Sequence, residues 1–285
     1  MITFKQAGAV VMALSHRRVQ AMAAQDASAL ASSETDPQLS IDHSALQQAR
    51  DLGTPVTSDA YSSVQPLVPE QTKFPAWFVA LVMTARGDTE LDLVTRPSAA
   101  APWRLAIETR LEGTIRWNES LQGRWVKAGD LNVDPSRTLA AYWNGATGAQ
   151  DVSGAGVAPG PMTSGTASDV SREISSNEGN GWNVAAAFTP GTVFPEAIKV
   201  SGGGVLGFAD VTESLKASPR FIPCFLQPGS NGSRWDPQVP NGNYQELDLT
   251  YTYLEGMIQL PAGDDLKAIS FAEATTGVVG TPCPG

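Results

Sequence analysis

Basic residues are scarce in this 285-residue chain. Nineteen Lys and Arg stand against 29 Asp and Glu, a formal net charge of −10. No run of four basic residues occurs. Nucleic-acid binding rests on clustered cations, so duplexes and anionic membrane surfaces are poor partners for this chain. Histidine is reduced to His16 and His43, and any Ser-His-Asp triad has to use one of them. Neither a G-x-S-x-G elbow, an H-E-x-x-H helix nor a zinc-type spacing is present. No stretch of 18 apolar residues exists, which excludes a membrane-spanning helix. Cysteine is limited to Cys224 and Cys283, both beside prolines. Their placement points to a disulfide tying the C-terminal tail to the loop around 224, in an oxidising compartment. Two free thiols are the alternative; a metal or redox pair lacks the C-x-x-C spacing.

What the chain does have is 42 % apolar residues, enough for sizeable cores, together with 27 Gly and 20 Pro that demand plentiful loops. One segment order occurs twice: a helical stretch followed by alternating segments, over 4–112 and again over 134–280. This predicts an α+β fold of two tandem domains, each a helix wrapped by a curved antiparallel sheet. The boundaries fall at 1–114 and 134–285, with a joint over 115–133. Residues 4–33 read as one helix broken near Asp26, and Phe4, Val11, Leu14, Val19 or Arg18, and Met22 mark its apolar face. Asp42–Leu52 reads as a second helix with Asp42 as cap and Gly53 as stop. The nearly continuous apolar run Trp77–Thr84 resembles a central strand. A turn at Gly87-Asp88 and alternating segments at 90–95 and 103–111 complete a meander.

In the second half, Asp134-Pro135-Ser136 opens a helix whose apolar face is Leu139, Tyr142 and Trp143. Residues 147–166 are rich in Gly, Ala, Ser and Pro and predict a mobile surface loop. Residues 169–176 predict a short helix. Strands are expected at 185–200, 205–216, 244–260 and 266–279, with a long insertion over 219–243. An N-terminal stretch around Ala7–Leu14 loosely imitates a signal sequence, but His16, Arg17 and Arg18 argue for a first helix. A removed signal or lipid-anchor segment is expected ahead of it.

Candidate chemistry is thin. The string Gly202-Gly203-Gly204-Val205-Leu206-Gly207 matches G-x-G-x-x-G, yet the alternating residues after it predict a strand where a dinucleotide fingerprint needs a helix. Asp92, Glu108 and Asp248 each sit between apolar neighbours on alternating segments, which predicts solvent-facing carboxylates. His16 and His43 predict surface positions. Two glycosylation-type triplets, at 118–120 and 231–233, read as chance matches. Seven tryptophans are many for this length, and aromatic rings supply large apolar area to pockets and interfaces. Trp77 and Trp103 predict core positions in the first sheet. If a pocket exists there, Trp77, Phe78 and Trp103 are the residues expected beside it.

Three segments carry a resemblance: Pro75-Ala76-Trp77-Phe78-Val79-Ala80, Leu91-Asp92-Leu93-Val94-Thr95-Arg96 and Pro102-Trp103-Arg104-Leu105. Together with Asp26, Leu30 and Glu34, with Asp134-Pro135, Leu139 and Tyr142, and with the Gly202–Leu206 strand start, they resemble uncharacterised exported proteins and lipoproteins of actinobacteria. The resemblance implies domains similar to the cystatin-like or nuclear-transport-factor-like (NTF2-like) class and an extracellular or cell-envelope location. It brings no catalytic residues and no cofactor. The lipid-bearing cysteine of such lipoproteins has no counterpart at the start of this sequence. The expected role is non-enzymatic: binding a protein partner or a small apolar ligand. The rival readings are a hydrolase, isomerase or dehydratase of the same fold class, or an assembly module pairing as a homodimer.

Overall fold

The computed structural model describes residues 2–56, 58–112, 131–200, 204–221, 243–259 and 265–284. Three helices come first: α1 (Phe4–Ala23), α2 (Ala27–Leu30) and α3 (Gln38–Leu52). Strands β1 (Tyr61–Leu67), β2 (Ala76–Thr84), β3 (Thr89–Arg96) and β4 (Arg104–Leu111) follow. The second half has α4 (Pro135–Thr147) and α5 (Thr166–Gly179), then β5 (Trp182–Pro190), β6 (Ile198–Lys199), β7 (Val205–Pro219), β8 (Tyr244–Gln259) and β9 (Leu266–Pro282). The chain is thus α+β, with helices packed on an antiparallel sheet.

Local chemistry explains the boundaries. Thr3 caps α1 through a capping box with Gln6. Asp26 accepts from the backbone of Ser28 and Ala29, which restarts the helix as α2 after the break. Gly53 takes a left-handed φ of 63° and ends α3. Asp134 accepts from the Arg137 backbone and Pro135 holds the first position of α4. Asp134→Ala is expected to cost roughly 1 kcal/mol, read as a lower urea midpoint at unchanged slope.

One sheet of nine strands runs β1-β2-β3-β4-β9-β8-β7-β5, with β6 pairing β7 beside β5. The first four strands form the expected meander. Among the described residues β4 pairs with β9 at Arg110↔Phe271 and Leu111↔Ser270, extended by a bond from Glu112 N–H to Ile269 O at 3.1 Å. One face of the sheet takes the helices. There Ala7, Val11 and Leu14 of α1 meet Phe78, Ala80, Val82, Val94 and Leu105. Farther along, Leu139, Trp143 and Val170 of α4 and α5 meet Ala209, Val211, Leu249 and Tyr253. On the other face Val79, Leu91, Leu93 and Ile107 pack with Leu206, Phe208, Leu254 and Ile269, so the sheet curls over and buries this layer between its two ends. Helix α3 lies where β4 diverges from β9, touching both, and its Ile41 reaches that inner layer.

Several expectations need correcting. Helix α3 begins four residues before Asp42, which is no cap but a buried residue on the helix's inward stripe, with Gln38, Ile41, Leu46 and Ala49. The 147–166 segment is packed rather than a free surface loop. Val157 pairs with Leu266, the Trp143 indole N–H donates to the Thr163 carbonyl at 3.0 Å, and Met162 and Thr163 are buried in a wide helical turn, Pro161–Gly165. The expected strand over 185–200 is interrupted. Between β5 and β6 the backbone leaves the ladder, where Thr192 N–H donates to Asp210 Oδ2 at 2.7 Å. After Gly204 the chain enters β7, so the glycine string opens a strand and no helix; Gly202 and Gly203 lie outside the described residues. Cys224, and with it the expected Cys224–Cys283 pair, lies outside the described residues, as do Trp117, Trp125, Trp235 and the expected joint around 115–130.

Candidate functional site

Two features under and beside α1 carry the polar and aromatic chemistry of the first half. The first is a buried charged nest. Arg18 sits on the same helical stripe as Val11, Leu14, Ser15, Ala21 and Met22, so the helix that buries those residues also buries Arg18. The guanidinium grips Asp42 with both Nε and Nη2, the latter at 3.1 Å from Oδ1. Its Nη1 donates to Glu108 Oε2, and Nε lies 3.3 Å from Glu34 Oε1. Gln38 ties α3 to the sheet: its amide donates to Asp42 Oδ1 at 3.1 Å and accepts from the Glu108 backbone N–H at 2.9 Å. The Tyr61 hydroxyl also donates to Glu108 Oε2. Glu34 is held along the free edge of β4, where Leu105 N–H donates to Ser33 O and Thr35 N–H donates to Leu105 O.

Asp92 is the surprise of this nest. It lies opposite Ala80 on β2 and Glu108 on β4, on the face covered by α1. It is 1 % exposed, and neither carboxyl oxygen accepts a hydrogen bond. The expected solvent face for Asp92 and Glu108 is therefore wrong: α1 and α3 cover what the alternation marks as outside. Asp248 does keep its outer position, 3.1 Å from Lys216 Nζ. His16 and His43 are exposed, as expected.

Five carboxyls face one guanidinium, and their protonation follows. Burial alone would push Asp42 up, but its paired bonds to Arg18 hold it below the ordinary range. Burial, reinforced by the Asp42 charge, pushes Glu34 up to about 10. Burial and the Glu108 charge push Glu90 to about 8. Asp92 is driven well above the usual carboxylate range, first by burial and then by Glu108 and Glu90. Tyr61 is likewise held well above 10 by burial and the charges of Asp92 and Glu108.

The second feature is an aromatic cleft of about 670 Å³ beside the α1 N-terminus. Trp77 and Trp103 both line it, with Ile2, Val10 and Phe74. Phe78 lies beneath, fully buried, its ring edge-on to Trp103 at 5.2 Å. The three aromatic residues singled out in the sequence thus gather at one place. Trp77 belongs to the core, whereas Trp103 is half-buried and walls the cleft. The Gln71 amide clamps the Trp77 backbone, accepting from its N–H at 2.9 Å. Arg96 lies over two rings, 5.7 Å from Trp103 and 5.9 Å from Phe74, and is anchored to Ala101 O at 2.8 Å. Among the described residues, Lys73 and Arg96 are the only charged side chains lining the cleft, in a chain that is strongly acidic.

Both features sit on a helix-backed antiparallel sheet of the α+β class. The chain belongs to the family described as "Domain of unknown function (DUF8094)", which matches residues 1–218. That span takes in both features and stops at Ser218, one residue short of the end of β7. Among curated proteins and solved structures nothing matches. Within the described residues no helix is long and apolar enough to cross a membrane.

Proposed function

We propose that this is a non-enzymatic, exported or cell-envelope protein that holds a small ligand in the Trp77–Trp103 cleft. The observation that carries this reading is the pairing of aromatic walls with Lys73 and Arg96 and no acidic group. A volume of about 670 Å³ is within the range of small-molecule sites. The favoured ligand has an apolar body to lie against the indoles and an acidic head group to meet Arg96. The recurrence of helices followed by antiparallel strands in the two halves, with the helices on one sheet face, supports two tandem units of the NTF2-like class over 1–114 and 134–285.

Titration calorimetry with decanoate tests the cleft. Trp103→Ala is expected to weaken binding at least tenfold while costing about 2 kcal/mol of stability, since the ring is only half-buried and loses one edge-on contact. Arg96→Gln is expected to weaken decanoate binding but leave decanol unaffected. Unchanged decanoate affinity in both variants would remove the cleft as the binding site.

A further inference from the structure

We propose that Glu90, Asp92 and Glu108 form a site for one hard divalent cation of the calcium type, set between β3, β4 and the helical layer. Each of these residues offers a carboxylate oxygen, and the three oxygens lie within 4.8 Å of one another. The site is distinct from the aromatic cleft and does not depend on it.

Geometry and charge together point to a cation. Register places Asp92 directly across from Glu108, while Glu90 lies two residues back on the same strand and the same face. Asp92 is the independent indicator. It is 1 % exposed, and the Tyr61 hydroxyl that lies beside it donates to Glu108 Oε2, which leaves both Asp92 oxygens unfilled, a costly condition for a buried carboxyl unless a ligand completes it. The nearby cation does not serve it. Arg18 is committed to Asp42, Glu34 and Glu108, and Tyr61 gives its proton to Glu108. Glu90 is only half-buried, which leaves a route from solvent to the buried Asp92. An all-oxygen donor set selects hard cations over zinc or copper, and calcium accepts irregular carboxylate geometry completed by water.

The test uses the full chain, stripped with EDTA and titrated with calcium chloride. One ion per chain is expected, with a melting temperature raised by about 3 °C at saturating calcium. Asp92→Asn keeps the shape and removes a carboxylate ligand from the site. It is expected to fold, to melt in EDTA at or above the wild-type temperature, and to lose the calcium-dependent rise. Glu90→Gln is expected to weaken binding tenfold or more. No heat and no shift up to about 10 mM calcium overturns the proposal. Wild-type-like binding by Asp92→Asn overturns it equally, because the ion would then be held by surface carboxylates elsewhere.

Discussion

Arg18→Met is expected to destabilise the protein by about 3–5 kcal/mol, the cost of removing one partner from a buried ion pair and leaving the other charged. The guanidinium is the counter-charge that Asp42 and Glu108 share, with Glu34 beside it kept protonated by burial. Methionine matches its stem and stays on the stripe between Leu14 and Met22, so the loss isolates the charge. Lysine is a poor replacement, because a single ammonium cannot grip both Asp42 oxygens while reaching Glu108. The double change Arg18→Met, Asp42→Leu is expected to recover most of the loss, since an apolar pair has no buried charge left to compensate. Urea unfolding of the three variants separates these terms. A single-variant loss below about 1 kcal/mol would mean that water reaches the nest and screens it.

Lowering the pH from 8 to 5.5 is expected to stabilise the calcium-free protein, opposite to the behaviour of a protein held by exposed carboxylates. The sign follows from the nest. Glu34 is raised to about 10 and Glu90 to about 8, so between those values and their unfolded values near 4.3 the folded state holds more protons. Their contribution is fully present below about 4.3 and is lost as pH rises, through about 8 for Glu90 and about 10 for Glu34. Asp42 has the opposite sign: its lowered value gives stability above about 3.9 that is lost only in stronger acid. In the window from 5.5 to 8 the first effect stands alone. Each retained proton is worth up to roughly 1.4 kcal/mol per pH unit. Melting temperatures measured in EDTA across that window should fall as pH rises, and Glu34→Gln should flatten the slope. A flat or rising wild-type profile would show both carboxyls ionised in the folded state.

Much of the fold was legible because local signals were strong. Asp26, Gly53 and Asp134 with Pro135 mark helix ends by local chemistry that needs no tertiary context. The strands were found because alternation and turns at Gly87-Asp88 agree. What alternation could not tell was which faces the helices cover. Asp92 and Glu108 occupy the face that an open meander would give to water, and α1 and α3 bury it. A hint was present in β2, whose run Trp77-Phe78-Val79-Ala80 is apolar on both faces and therefore implies cover on both faces of its neighbour β3. Arg18 left a trace too, falling between Leu14 and Met22 on the inward stripe of α1. The 147–166 segment misled because small and polar residues usually mark exposed chain. Here they allow close packing, anchored by the Trp143 indole.

The narrow seam between β4 and β9 has a consequence for how the chain is made. Arg110 and Phe271, which meet there, are 161 residues apart in sequence (271 − 110). Contacts of such separation require loop closure before they return any free energy, so they form after the local meander and the β7–β8–β9 ladder. A ribosome delivers β4 well before β9. In that interval the outer edge of β4 faces solvent, shielded near Leu105 by the Ser33–Thr35 segment and bare near Arg110. An unpaired strand edge is a template for other chains. The first half of this protein therefore depends on its last strand for protection from its own neighbours during synthesis.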